Sequence, residues 1–251
     1  MKLLKGGCRV FQLEDFPYVR EGTRTFRRPI SRETGAQHVA QTVSDYAPGR
    51  SPARVNPSSE EVLYCVSGHG SCSIAGNTYP LEPGSALYVP AARSYAIDNP
   101  GPGAIRIVAV CCPEDEGSRV VSGSMPMADG NDAARLLVHE QEREPQRSGD
   151  RQFKLLVDKD LGCERVTQFV GFIPPSKAPF HFHPYEEAIY ILEGSGTVHS
   201  PEESCEYGPG TSIFLPIGCS HCLENTGPGP VRLLGVFYPS GSPAVSYASK
   251  K

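Results

Sequence analysis

Apolar residues in this chain fall in short runs, and Gly or Pro punctuates nearly every one. Glu61–Ser67 and Glu187–Glu193 are apolar runs that each end at a Gly. Ser85–Val89 and Thr211–Leu215 are opened by Pro-Gly and closed by Pro. Ile105–Val110 and Val231–Tyr238 follow a Gly-Pro-Gly turn. Runs of this length between such turns read as strands. Pro presets φ and Gly admits φ > 0, so the punctuation itself has a turn mechanism. The expected class is all-β.

The same elements occur twice. From Glu60 onward, a shift of 126 residues lays the first half on the second without a gap. Glu60-Glu61 falls on Glu186-Glu187, Tyr64 on Tyr190, Pro83-Gly84 on Pro209-Gly210, Asn99 on Asn225 and Arg106 on Arg232. Upstream the shift is 127, so that Phe26 meets Phe153, Gly35 meets Gly162, Gln41 meets Gln168 and Pro52 meets Pro179. An internal repeat of this length predicts two copies of one structural unit. The division expected from it is an N-terminal unit at 1–112, a connecting segment at 113–150 and a C-terminal unit at 151–251. The connection is polar and charged, and within it only Asp132–His139 has helical content.

Composition narrows the class further. Of 251 residues, 26 are Gly and 24 are Pro, about one in five, which agrees with a turn-rich β protein. With 39% hydrophobic and 21% charged residues the chain is too apolar to be disordered. The net charge is −4 and there is no basic stripe, so nothing points to nucleic acid or an anionic membrane. No apolar run approaches the ~18 residues that span a bilayer. The opening MKLLKGGCRVFQLEDF has no signal-peptide core, which gives the expectation of a cytoplasmic protein. Nine Cys, irregularly spaced, are read as mostly reduced thiols used as small apolar bulk.

The candidate chemistry is confined to the second copy, in HFHPYEEAIYILEG and GTSIFLPIGCSHCLEN. His181 and His183 are two apart and share one face of a strand. Glu187 lies at even spacing from both and shares that face, whereas Glu186 points away. His221 comes 34 residues later than Glu187, at a turn after Pro216-Ile217-Gly218. Three imidazoles and a carboxylate suit a divalent first-row metal. Cys219 and Cys222 resemble half a zinc knuckle, but no second pair completes it. His38, His69, His139 and His199 are read as structural. Phe169, Phe172, Tyr190 and Phe214 are core residues or pocket walls, and Cys219 tunes the site if it faces the interior.

These segments resemble the two signature motifs of the cupin family. The first reads His181-x-His183, three residues, Glu187, six residues, Gly194. The second reads Gly210, five residues, Pro216-x-Gly218, two residues, His221, three residues, Asn225. The resemblance implies that His181, His183, Glu187 and His221 bind the metal and that the Gly, Pro and Asn positions shape turns. Together with the repeat it covers most of Phe26–Tyr238 and implies a bicupin of two tandem jelly-roll β-barrels.

The first copy keeps the frame but not the ligands. His181 corresponds to Arg54, His183 to Asn56, His221 to Tyr95 and Gly218 to Ala92, while Glu61 keeps its match in Glu187. Arg is always protonated and cannot ligate. Glu61 beside Arg54 is then an ion-pair candidate, and Arg54, Arg93 and Tyr95 outline either a small N-terminal pocket or a packed interior. In layout the chain is similar to the ureidoglycine aminohydrolase family, which also pairs a degenerate first barrel with a metal-bearing second one. That family's metal set is a Glu, two His and a Gln; this chain has His181, Glu187 and His221 at three of those four places.

The functional expectation is a metal-dependent enzyme acting on a small oxygenated metabolite, with dioxygenation as the first reading. A Lewis-acid isomerase, decarboxylase or hydrolase, including the ureidoglycine type, is the second. A non-catalytic metal-dependent binding protein is the third. The metal is one divalent ion from Fe, Mn, Ni or Zn. The only partners expected are the substrate and a second copy of the chain paired through sheet edges.

Overall fold

The computed structural model describes residues 1–114, 117–121, 135–244 and 247–248. Two β-barrels stand side by side, built from antiparallel sheets of seven and six strands in the N-terminal barrel and of eight, three and two in the C-terminal one. In the N-terminal barrel the large sheet has seven strands, in the spatial order Leu137–His139, Ser85–Val89, Glu60–Ser67, Ile105–Cys112, Ala40–Tyr46, Arg24–Ile30 and Val19–Glu21. In the C-terminal barrel it has eight, in the order Lys2–Leu3, Arg9–Phe11, Ser212–Leu215, Glu186–Glu193, Val231–Tyr238, Thr167–Ile173, Arg151–Val157 and Gln146–Ser148. The expected all-β class and the tandem barrels are present. The described helices are three-residue 3-10 turns, and none is long and apolar enough to cross a membrane.

The repeat is a repeat of turn chemistry as well as of strands. Asn225 donates to the carbonyls of Ile173 and Gly229, both at 2.8 Å, and its own oxygen accepts from Gly227 N–H at 2.9 Å. Asn99 does the same with Tyr46, Gly103 and Gly101. Each Asn thus ties a Gly-Pro-Gly turn to a neighbouring strand end and satisfies backbone groups that the turn leaves open. Gly194, at φ +81°, approaches the Pro230 carbonyl so closely that a Cβ would sit 2.9 Å from its oxygen. Only Gly fits there.

Strands cross the expected division in both directions. Arg9–Phe11 pairs with Ser212–Leu215, so residues 2–11 extend the sheet of the C-terminal barrel. Leu137–His139 pairs with Ser85–Leu87 of the N-terminal barrel, and Arg119–Val121 pairs with Ala53–Val55. The helix expected over Asp132–His139 is corrected in its described part. Leu137–His139 is a strand, because the free edge of Ser85–Val89 supplies hydrogen-bond partners that sequence propensity does not show. Residues 132–134 lie outside the described residues.

Two apolar cores result. One fills the interior of the C-terminal barrel and includes Phe153, Phe169, Ile189, Leu223, Leu233 and Phe237. The other fills the N-terminal barrel and continues through the contact between barrels to Val170, Ala188, Tyr190, Phe214 and Leu234. The Glu186–Glu193 strand is therefore buried on both faces. Glu187, Ile189 and Ile191 face the barrel interior, and Ala188 and Tyr190 face the other barrel. At this contact the Glu186 carboxylate accepts from the backbone N–H groups of Gln37, His38 and Val39 at 2.7, 2.8 and 3.1 Å. Ser212 Oγ donates to Gln41 Oε1 at 2.6 Å, and Arg232 pairs with Glu140, which also accepts from Tyr64 O–H.

Candidate metal centre

Backbone pairing brings the histidines together before any side chain matters. His181 and His221 exchange two main-chain hydrogen bonds, at 3.0 and 2.9 Å, and form an isolated antiparallel bridge. Gly218 N–H donates to the His183 carbonyl at 2.9 Å from a left-handed conformation, φ +74°. The Pro216-x-Gly218 turn thereby clamps the His221 segment onto the His181–His183 segment. The ring centroids of His181 and His221 are 4.4 Å apart, and those of His181 and His183 are 4.9 Å apart.

One ligand atom from each of His181, His183 and His221 lies within 4.8 Å of the other two. Glu187 is outside that triangle but against it, with Oε2 3.7 Å from His183 Nε2. The donor chemistry fits a divalent transition ion. His181 Nδ1 faces the Pro179 carbonyl at 3.1 Å and His221 Nδ1 faces the Cys219 carbonyl at 2.9 Å. A carbonyl only accepts, so each Nδ1 carries the proton and each Nε2 keeps its lone pair. His183 Nδ1 is buried with no partner among the described residues. Its ring stacks on Tyr185 at 4.9 Å with planes 11° apart, which fixes its orientation.

Burial sets the electrostatics. It pulls His183 down to about 4, helped by neighbouring His181, and it lowers His181 and, further, His221. It also pushes Glu187 up to about 8, against the opposing influence of Arg151. His183 and Glu187 are within ion-pair distance, yet both shifts favour their neutral forms. A bare cluster of this kind is short of positive charge for its carboxylate and supplies neutral imidazoles, which is what a metal ion requires.

The cluster opens into a cavity of about 240 Å³ inside the C-terminal barrel. Phe153, Phe169, Ile189, Leu223 and Phe237 form its apolar wall, and His181, His183, Glu187, His221 and Arg151 its polar one. The C-terminal segment crosses its rim: Pro243 lines the cavity, Tyr185 O–H donates to the Ser242 carbonyl at 3.2 Å, and Tyr247–Ala248 pairs with His181–Phe182.

Of the residues singled out as pocket walls, Phe169 lines this cavity. Tyr190, Phe214 and Cys219 do not, and this corrects the expectation. Tyr190 follows Ile189 on the strand, so alternation turns it to the contact between barrels, where Phe214 also lies. Cys219 packs in the interior core near Cys8, and it reaches the site only through its backbone carbonyl. Arg151 is the residue that sequence reasoning missed. It opens the Arg151–Val157 strand directly after a polar connection, and nothing in its local pattern distinguishes it from a surface charge.

In the N-terminal barrel the corresponding residues satisfy one another. Arg54 pairs with Glu21 at 2.6 Å and donates to Ser118 Oγ at 2.9 Å. The expected partner, Glu61, instead accepts from Asn56 Nδ2 at 2.7 Å. Tyr95 is 1% exposed and sits beside Arg54 in the strand register, and Arg93 is half-buried at the turn ahead of it. A guanidinium and its carboxylate thus stand where the other barrel gathers imidazoles.

Known proteins share this architecture. The chain spans the model of the cupin domain twice, at residues 42–111 and 169–237. An uncharacterised protein of Methanocaldococcus jannaschii, MJ1618, is 38% identical over 65 residues, which are 26% of this chain and 52% of that protein. This chain thus spans about half the length of that relative. Among solved structures, an oxalate decarboxylase studied for its substrate binding mode superposes with a TM-score of 0.78 at 16% identity, over 94% of this chain and 78% of the other. A mutant of the Bacillus subtilis oxalate decarboxylase gives 0.77 at 17% identity over the same shares. A further structure of the Bacillus subtilis enzyme concerns its Mn(II) centers. At such identities the likeness is one of fold. The doubled domain match, the paired barrels and the duplicated turn chemistry agree, and this chain belongs to the cupin family as a two-domain member.

Proposed function

We propose that the C-terminal barrel holds one divalent transition metal through His181, His183, His221 and Glu187, and that it converts a small oxygenated metabolite there. The observation that carries this reading is the convergence of three imidazoles within 4.8 Å of one another at the wall of a largely apolar cavity. The N-terminal barrel is structural, since its Arg54 and Asn56 are bonded to Glu21 and Glu61 of the same barrel.

When bound, the metal would supply either dioxygen activation or Lewis-acid polarisation of a substrate oxygen. The chain's own residues would hold the imidazoles in the right tautomer, keep water out with Phe169, Phe237 and Leu233, and place a carboxylate beside the reacting group. Dioxygenation is the first reading. The fold shared with Mn(II)-containing oxalate decarboxylases favours a second, non-oxidative cleavage by Lewis-acid chemistry.

Metal analysis of the purified protein, followed by turnover screens with Fe(II) under oxygen and Mn(II) without it, tests the proposal. Stoichiometric metal with oxygen uptake supports the first reading, and anaerobic turnover supports the second. Binding of metabolites without turnover points to a carrier, and failure to take up any transition ion overturns the whole proposal.

A further inference from the structure

The metal-site cavity contains a positive charge that the metal reading does not use. Arg151 lines the same cavity as the three histidines. Among the described residues its guanidinium makes one hydrogen bond, from Nη2 to the Leu223 carbonyl at 2.5 Å, and no ion pair. Its Nε is buried and has no partner. Among the described residues, Arg24 and Arg54 share Glu21, Arg106 has Asp45, and Arg232 has Glu140 and Glu193, whereas half-buried Arg9, Arg27 and Arg143 donate to backbone carbonyls. Arg151 is the one of these that lines the cavity with the histidines, and burial depresses its pKa even though exposed Asp150 next to it in sequence acts the other way.

An unpaired guanidinium facing a cavity costs desolvation that an anion would offset. The planar fork of N–H donors matches a carboxylate in particular. Charge balance points the same way. A divalent ion and Arg151 bring three positive charges to the cavity, and ionised Glu187 brings one negative charge. The rest of the lining is largely hydrocarbon and includes Phe153, Phe169, Ile173, Leu233 and Phe237. A volume of about 240 Å³ admits a molecule below the usual drug-sized range.

We infer that Arg151 is the substrate-anchoring residue of this site, and that the substrate is a small monocarboxylate with an apolar or aromatic body. Its carboxylate binds Arg151, its body lies on the phenylalanine wall, and its remaining oxygen function faces the three histidines. This inference names the substrate class for the metal site proposed above.

Benzoate and its neutral isostere benzamide are the probes, titrated by calorimetry into metal-free and Mn(II)-loaded protein. Benzoate is expected to bind at least about 10-fold more tightly than benzamide, the size of a charge-assisted hydrogen bond. R151Q should lose that preference by about 10- to 100-fold, and R151K should keep part of it. R151Q should still take up the same metal, with an unchanged circular dichroism spectrum. Equal binding of benzoate and benzamide, or unchanged benzoate affinity in a folded R151Q, overturns the inference. The two proposals fail separately: loss of metal uptake refutes the metal centre, whereas the Arg151 preference is read in metal-free protein as well. Oxalate is the control for the apolar body, and tighter binding of oxalate than of benzoate would refute that part.

Discussion

Glu186 offers a sharp test of how the two barrels hold together. Its carboxylate is 2% exposed and accepts three backbone N–H groups from the other barrel, those of Gln37, His38 and Val39. Glu186→Ala removes the acceptor and leaves the donors behind. Gln37 is exposed and can be rehydrated, but Val39 is fully buried and His38 half-buried. A hydrogen bond to a charged group contributes about 1.5–3 kcal/mol, and one stranded buried N–H costs about 1–3 kcal/mol. Allowing for rehydration of Gln37 and partial relaxation, the expected loss is about 2–4 kcal/mol. For a chain of this size, each kcal/mol moves Tm by about 2–4 °C, so melting followed by circular dichroism should fall by roughly 5–15 °C. Glu186→Gln keeps one acceptor oxygen and should fall by about half as much. Metal content should not change, because Glu186 points away from the histidines. A Glu186→Ala protein melting within 2 °C of the parent would refute the claim that this carboxylate docks the barrels.

Four further outcomes follow from the site, its turns and the thiols. Removing bound metal with a chelator should lower Tm, since a ligand at 100 times its Kd contributes about 2.7 kcal/mol to the folded state, and His221→Ala should abolish that difference. Gly218→Ala should destabilise by about 1 kcal/mol in urea unfolding, purely through its φ of +74°, because an added Cβ meets nothing within 4 Å. Its counterpart Ala92 already sits at φ +61°, so Ala92→Gly should be neutral or stabilising by about 0.5 kcal/mol in the same assay. All nine thiols are free and only Cys111 and Cys205 are not buried, so native protein should take up two maleimide labels quickly and the other seven only on unfolding, as counted by mass spectrometry.

The parts of the fold that were legible in the sequence are those governed by local chemistry. Pro-Gly and Gly-Pro-Gly turns delimit the strands, and Ser85–Val89 and Val231–Tyr238 begin and end where the pattern places them. The His181, His183 and Glu187 spacing selects the inward face correctly, with Glu186 on the opposite side. What was not legible depends on long-range pairing. A strand buried on both faces carries no hydropathy alternation, so Tyr190 and Phe214 could not be told from cavity walls. Leu137–His139 becomes a strand only because a sheet edge 50 residues away in sequence is free to receive it. Arg151 reads as a surface charge until the barrel closes around it. The Glu21 partner of Arg54 was likewise hidden, since 33 residues and three strands separate them.

The crossing of the flanking strands has a consequence for any attempt to halve the molecule. Lys2–Phe11 precedes the first barrel but hydrogen-bonds into the second, and Leu137–His139 precedes the second barrel but hydrogen-bonds into the first. Cutting the chain between residues 112 and 137 leaves each fragment carrying an arm whose acceptor is on the other. Such fragments would be complementary rather than autonomous, expected to reassemble when mixed and to expose raw sheet edges when kept apart. One polypeptide here reproduces the contacts that two single-barrel chains would make by trading their leading strands.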